Sequence, residues 1–289
     1  MPSDLRVGDR VRVSLNVTAY PEHDIRGHLA RIVRAADAGA IDTVWVADHL
    51  LQAAPGTADD DPMLEAYTTL GYLAGQSERV RLGTMVTGVT FRPASLLVKA
   101  VTTLDVLSGG RAWLGVGAGY QEDEARAMGL FLPPVAERFA RLEETLRLTR
   151  RMWAGDASPF EGTYLRLERP VSSPPPLSRI PVLIGGMGER RTLRYVAEHG
   201  DACNLFDIPD GGRTIRHKLD VLARHCEAAG RPYEAIEKTV STRLQAGESA
   251  DSFTARCIAL GQLGLDHVVA ITDGPWTEES VATLSAGAG

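Results

Sequence analysis

Pro181-Val182-Leu183-Ile184-Gly185-Gly186-Met187-Gly188-Glu189-Arg190-Arg191-Thr192-Leu193 is the stretch on which the fold turns. Residues 180–184 are an apolar run with the length of a buried strand, and three glycines occupy the next four positions. Thr192, Leu193, Val196 and Ala197 then recur at helical spacing up to Gly200. The reading is strand, glycine-rich turn, helix. Glycine lets the backbone come close to a ligand and adopt positive φ. The unpaired N–H groups of a helix start, together with the helix dipole, attract a phosphate or another anion. Taken alone, the segment fits a ligand-free strand-to-helix turn equally well, so the rest of the chain has to decide.

The same unit recurs along the chain. Residues 11–17 read as a strand, and residues 24–39 as a helix with Ile25, Leu29, Ile32, Val33 and Ala36 on one face and Gly39 as its stop. Residues 43–47 form the second strand and deliver Asp48 and His49 at its C-terminal end. An acidic loop through Asp59, Asp60 and Asp61 leads to a helix over 62–76. The third strand covers 80–86, the third helix 94–107, and the fourth strand 112–116, ending in Gly117-Ala118-Gly119-Tyr120. A short acidic helix over 122–128 and an amphipathic helix over 137–153 follow. Residues 154–179, with Pro174-Pro175-Pro176, can neither continue a helix nor enter a central strand. They read as an excursion with a small hairpin around Gly162. Strands over 180–184, 202–205, 238–244 and 267–272 and helices over 214–229, 253–263 and 278–284 complete the series.

Eight short strands alternating with helices imply an α/β protein of the (β/α)8 TIM-barrel type, a single domain over residues 1–289 with an excursion between the fourth helix and the fifth strand. An open doubly wound sheet fits less well, because the unit count is high and no second composition regime marks a domain boundary. The formal charge of -6 and pI near 5.7, with basic residues dispersed, argue against nucleic acid or an anionic membrane and for a small-molecule partner. Cys203, Cys226 and Cys257 have neither disulfide nor zinc spacing and are expected reduced, in the cytoplasm. The charged N-terminal segment lacks the apolar core of a signal peptide, and no apolar run has membrane-spanning length.

In a (β/α)8 barrel the chemistry sits at the C-terminal ends of the strands. His49 is there, beside a carboxylate, and suits a proton donor or acceptor near neutral pH. The other histidines fall on helices, in loops or at a strand start. Asp48 either orients a ligand or a backbone N–H, or caps a turn. Glu122, Asp123 and Glu124 are accounted for by the dipole of the helix they begin, so no metal site is read there.

These residues amount to a resemblance. Thr-Val-Trp-Val-Ala-Asp-His-Leu from Thr43, Arg-Leu-Gly-Thr-Met-Val-Thr-Gly-Val-Thr-Phe-Arg from Arg81, Thr-Leu-Asp-Val-Leu-Ser-Gly-Gly-Arg from Thr103, and the glycine loop resemble the luciferase-like monooxygenase superfamily. The match is closest to its branch using coenzyme F420, a deazaflavin. The resemblance implies a cofactor lying across the strand ends, its phosphate at Gly185, Gly186, Met187, Gly188 and Glu189. A non-proline cis peptide at Met85-Val86, followed by Thr87 and Gly88, would back its ring. Gly119 and Tyr120 would border it, Asp48 would contact it, and His49 would stand near the hydride-transfer carbon. A homodimer is implied as well.

Two positions depart from relatives. Tyr120 stands where the sugar-phosphate dehydrogenases of the branch carry glutamate, and Arg92-Pro93-Ala94 replaces an Arg-His-Pro or Arg-Asn-Pro sequence. Three functions follow as expectations: F420-dependent hydride transfer to or from an unidentified small organic substrate, an FMN-dependent monooxygenase with a reductase partner, or a non-catalytic flavin-binding barrel.

Overall fold

The computed structural model of the chain describes residues 11–53 and 57–287. Residues 1–10, which hold most of the charged N-terminal segment discussed above, lie outside the described residues. In chain order the elements are β1 (Arg12–Val17), α1 (Ile25–Ala38), β2 (Thr43–Val46), α2 (Ala66–Ala74), β3 (Arg81–Thr84), β4 (Thr87–Gly88) and α3 (Ala94–Ser108). Then come β5 (Leu114–Gly117), α4 (Glu122–Ala127), α5 (Val135–Trp153), the hairpin β6 (Phe160–Glu161) and β7 (Arg166–Leu167), β8 (Val182–Gly185) and α6 (Thr192–His199). The chain ends with β9 (Ala202–Phe206), α7 (Arg213–Ala228), β10 (Glu237–Arg243), α8 (Ala250–Gly261), β11 (His267–Ile271) and α9 (Glu278–Gly287).

All pairings in the main sheet are parallel, in the order β3-β2-β1-β11-β10-β9-β8-β5-β4. A Leu82–Ala112 bridge joins β3 to the start of the fourth barrel strand, so the sheet closes on itself. The third strand differs from its sequence reading. It stops at Thr84, turns through a cis Met85–Val86 peptide and resumes as β4. The second helix also begins later than residue 62, at Ala66, because Glu65 caps it by accepting from the Tyr67 and Thr68 amides.

Alternation along the strands separates two cores. Val13, Leu15, Val44, Val46, Val182, Ile184, Val268 and Ala270 face the helices in one cluster. Their neighbours Trp45, Trp113, Leu183, Ala202 and Val269 form a second cluster inside the barrel, with Trp45 and Trp113 tilted at 5.5 Å. Gly83 makes room there: a Cβ at that position would lie 2.7 Å from Trp113 Cβ. This layer plugs the barrel, and the next inward positions toward the C-terminal end are Asn16, Ala47, Gly117, Gly185, Asn204, Ser241 and Ile271. They are smaller or polar, and they line a cavity.

The excursion carries the expected hairpin, with Phe160 opposite Leu167. It packs outside the barrel, where Phe160 joins Ala94, Val98, Leu148 and Met152 between α3 and α5. Asp105 ties down its far end by accepting from the Leu177 and Ser178 amides. The sequence reading expects this excursion to help wall the substrate pocket; instead it packs outside the barrel, and none of its residues lines the cavity. No described helix is long and apolar enough to cross a membrane.

Candidate active site

The cavity at the C-terminal end of the barrel has a volume of about 690 Å³, within the range of small-molecule and cofactor sites. β2 ends at its rim, and His49 stands there with its side chain 20% exposed. Its Nδ1 lies 2.9 Å from Glu124 Oε2. The other carboxylate oxygen of Glu124 accepts from the Leu50 and Leu51 amides at 2.5 and 3.2 Å. Burial pushes the Glu124 carboxyl upward, but the bonds from His49 and the two amides more than offset this and hold it below the usual carboxylate range. The carboxylate therefore takes the proton on Nδ1 as a hydrogen bond, and the imidazole turns Nε2 away from it. Tyr120 lies edge-on to this ring at 6.0 Å.

Asp48 has no exposed side-chain surface. Arg92 grips it with both arms, Nη1 to Oδ2 at 2.6 Å and Nη2 to Oδ1 at 2.9 Å, and Nη2 also donates to Glu65. Burial pulls the Arg92 guanidinium down, yet Asp48 and Glu65 reverse this and raise it. Arg92 also lies over the Tyr67 ring, whose hydroxyl is 2.8 Å from Thr87 Oγ1, itself 3.0 Å from Thr84 Oγ1. The paired Asp48 thus braces the bulge formed by Thr84, Met85, Val86 and Thr87. The glycines opposite give the bulge its space. A Cβ at Gly115 would lie 1.8 Å from the Thr84 carbonyl oxygen, and one at Gly185 would lie 2.8 Å from Val86 Cγ2.

Across the cavity the glycine loop divides. Gly185 and Gly186 line the cavity, Gly186 with φ of +111°, and Thr192 at the start of α6 lines it too. No side chain caps α6, so its first amides are free of side-chain partners. Met187 turns back into the structure, where its Sδ accepts from the Phe206 amide. Gly188 packs against Thr192, and Glu189 pairs with His217 and Lys218 of α7. Of the thirteen residues singled out from the sequence, Asp48, His49, Met85, Val86, Thr87, Gly88, Gly119, Tyr120, Gly185 and Gly186 line one cavity. Met187, Gly188 and Glu189 do not.

Two residues of the site carry no sequence signal of their own. Glu124 is one. Arg138 on α5 is the other: 5% exposed, it donates from Nη1 to the Gly119 carbonyl at 2.7 Å and leaves its buried Nε without a partner at the cavity wall near Gly119. Arg138, Gly186 and Thr192 line the same cavity, and a buried guanidinium and a helix start without a side-chain cap are groups of the kind that hold an anion.

A luciferase-like monooxygenase family profile matches residues 12–277. The chain belongs to that family. Among curated relatives, the F420-dependent glucose-6-phosphate dehydrogenase of Kineococcus radiotolerans is 31% identical over 238 residues, covering 82% of this chain and 69% of the relative. That of Amycolatopsis mediterranei is 33% identical over 215 residues, covering 73% and 62%. A pyrimidine monooxygenase of Allorhizobium ampelinum is 31% identical over 168 residues, covering 56% and 45%. An F420-dependent secondary alcohol dehydrogenase solved with an F420-acetone adduct superposes with a TM-score of 0.80 at 16% identity, over 96% of this chain and 97% of the other. The F420-dependent tetrahydromethanopterin reductase of Methanopyrus kandleri gives 0.77 at 16% identity, over 95% and 97%. At those identities the structural likeness concerns the fold alone.

Proposed function

We propose that the protein is an F420-dependent oxidoreductase that transfers a hydride between the deazaflavin and a small organic substrate. The observation that carries this is the presence, in one cavity, of groups that suit an anion and of a histidine whose tautomer is fixed by a buried carboxylate. The residues fit the cofactor. Gly186, Thr192 and Arg138 would hold its phosphate, and the Met85 to Thr87 bulge, set in place by Arg92 and Asp48, would back its ring. When bound, the deazaflavin supplies a two-electron hydride carrier.

The protein's own part is proton handling. Glu124 accepts from Nδ1–H of His49, which leaves the Nε2 lone pair to take a proton from a substrate hydroxyl; in the reverse direction Nε2–H returns it. Backbone amides 50 and 51 hold Glu124 in turn, so the imidazole keeps its orientation without help from substrate. Such a device has no purpose in a barrel that only stores a flavin. The FMN-monooxygenase reading is not favoured, since the relatives matched over most of the chain are named for F420. Titrating the protein with F420 and with reduced FMN, followed by absorbance, tests the assignment. Micromolar binding of F420 is the expected result, and preference for FMN would reverse it.

The buried, unpaired Cys203, Cys226 and Cys257 suit a reducing compartment such as the cytoplasm. A homodimer is inferred from family resemblance; sedimentation equilibrium should give twice the chain mass of 31.1 kDa.

A further inference from the structure

β1, β11, β10 and β9 follow one another round the barrel up to β8, and together they give the cavity one continuous wall. That wall differs in kind from the groups around Arg138. Ile271 and Phe206 supply carbon surface, and Met63 and Phe91 extend it toward β2 and β4. Its neutral polar groups are Thr18, Asn16, Asn204 and Ser241, and its charged ones are Arg243 and Asp273, an ion pair open to solvent. The charges nearby are already spent, since Arg243 is paired with Asp273 and Asp48 with Arg92. No lysine lines the cavity among the described residues. A phosphoryl or carboxylate group placed here would lose its water and meet no free cation, a strongly unfavourable exchange.

Asn16 gives the wall a direction. It lies on β1 beside Trp45 in register, lines the cavity and is 3% exposed, and its buried Oδ1 has no hydrogen-bond partner among the described residues. The neighbouring Asn204 is already engaged, its Oδ1 accepting from Thr239 Oγ1 at 2.8 Å and its Nδ2 donating to Ser241 Oγ at 2.9 Å. A buried carboxamide oxygen left without a partner is costly, and cavities resolve such groups with a ligand or water. One carboxamide can take O–H from an alcohol and give N–H to the matching carbonyl. Toward an anion its oxygen is repulsive.

We propose that the half of the cavity bounded by β1, β9, β10 and β11 binds an uncharged alcohol or carbonyl compound with an apolar body, held by Asn16, and excludes phosphorylated sugars. This rests on the oxidoreductase reading above and sets the chain apart from its glucose-6-phosphate-oxidising relatives. Calorimetric titration with cyclohexanol, cyclohexanone and glucose-6-phosphate, each with and without F420, tests it. Cyclohexanol and cyclohexanone should bind at least about tenfold more tightly than glucose-6-phosphate. Asn16→Leu should weaken both neutral ligands by about 3–10-fold, the worth of one hydrogen bond, while leaving F420 affinity unchanged. Asn16→Ser, which keeps a donor and an acceptor, should restore part of the loss. Cyclohexanol affinity no better than that of glucose-6-phosphate, including no binding of either, overturns the proposal, as does an Asn16→Leu protein that binds the neutral ligands normally. Failure of F420 itself to bind would instead sink the cofactor assignment, and the same titrations separate the two.

Discussion

His49 and Glu124 lie 75 positions apart in sequence and 2.9 Å apart in space. The first was legible from the sequence, because a strand end in a barrel points its next residues at the mouth. The second was not. Three carboxylates in the first turn of a helix are sufficiently explained by its dipole, and only the docking of α4 decides that Glu122 and Asp123 face solvent while Glu124 turns inward. Arg138 was hidden for a similar reason, being one of several arginines on an amphipathic helix. The Glu124 bond can be tested by Glu124→Gln. The amide would keep an oxygen for Leu50 and Leu51 but present N–H to Nδ1, forcing the opposite tautomer, with the proton on Nε2. Turnover should fall by about 10²-fold, as with His49→Ala, while F420 affinity stays within about tenfold. The pH dependence has a defined sign. A carboxyl held below its ordinary value of 4.5 stabilises the fold fully above that value and loses the contribution as pH falls through the lower folded value. The stability gap between wild type and Glu124→Gln should therefore close on acidification below pH 4.5, as denaturation midpoints would measure.

At the scale of elements, the alternation of strand and helix survived translation into structure, since strands buried on both faces read as continuous apolar runs and helices as periodic ones. The third strand did not. Val80 to Val86 has the composition of one uninterrupted strand, and its break after Thr84 depends on space left by glycines about 30 and 100 residues further on. In the sequence Gly117 and Gly119 stand out at the end of the fourth strand, whereas Gly115, inside it, carries no reading of its own. Gly115 admits a neighbouring backbone: a Cβ there would meet the Thr84 carbonyl oxygen, a main-chain atom that cannot rotate aside. Gly115→Ala should therefore cost about 3 kcal/mol and lower Tm by about 6–12 °C. Gly109→Asn provides the contrast. Gly109 has φ of +70° and nothing within 4 Å of a built Cβ, and asparagine tolerates that conformation, so its Tm should stay within about 2 °C of wild type. Equal melting of the two variants would remove steric admission of the bulge as the reason for Gly115.

On the scale of the whole molecule the two ends of the barrel divide the labour. At the end away from the cavity His267 is fully buried, its Nδ1 at 2.7 Å from Glu237 and its Nε2 at 2.5 Å from the Ser14 hydroxyl. Arg12 closes the group on the second Glu237 oxygen at 2.7 Å. The resemblance to the other pair is close, since both are a histidine Nδ1 on a glutamate. The difference is what Nε2 meets: Ser14 here, cavity at His49. Burial pushes the Glu237 carboxyl up, but His267 and Arg12 bring it below the usual range, so its contribution is present above pH 4.5 and lost as pH falls through the depressed folded value. Glu237→Gln leaves an acceptor for His267 but removes the charge that Arg12 answers. It should cost about 2 kcal/mol and lower Tm by about 4–8 °C near pH 7, with a smaller deficit below pH 4.5. Its kcat/KM should remain within about twofold of wild type, because nothing in the group reaches the cavity. Set beside Glu124→Gln, the two substitutions make the same chemical change at opposite ends of one barrel. Turnover should respond at the cavity end, and chiefly stability at the other. If Glu237→Gln lost turnover as severely as Glu124→Gln at a temperature where both are folded, the ends would be coupled through the Trp45 and Trp113 layer that separates them.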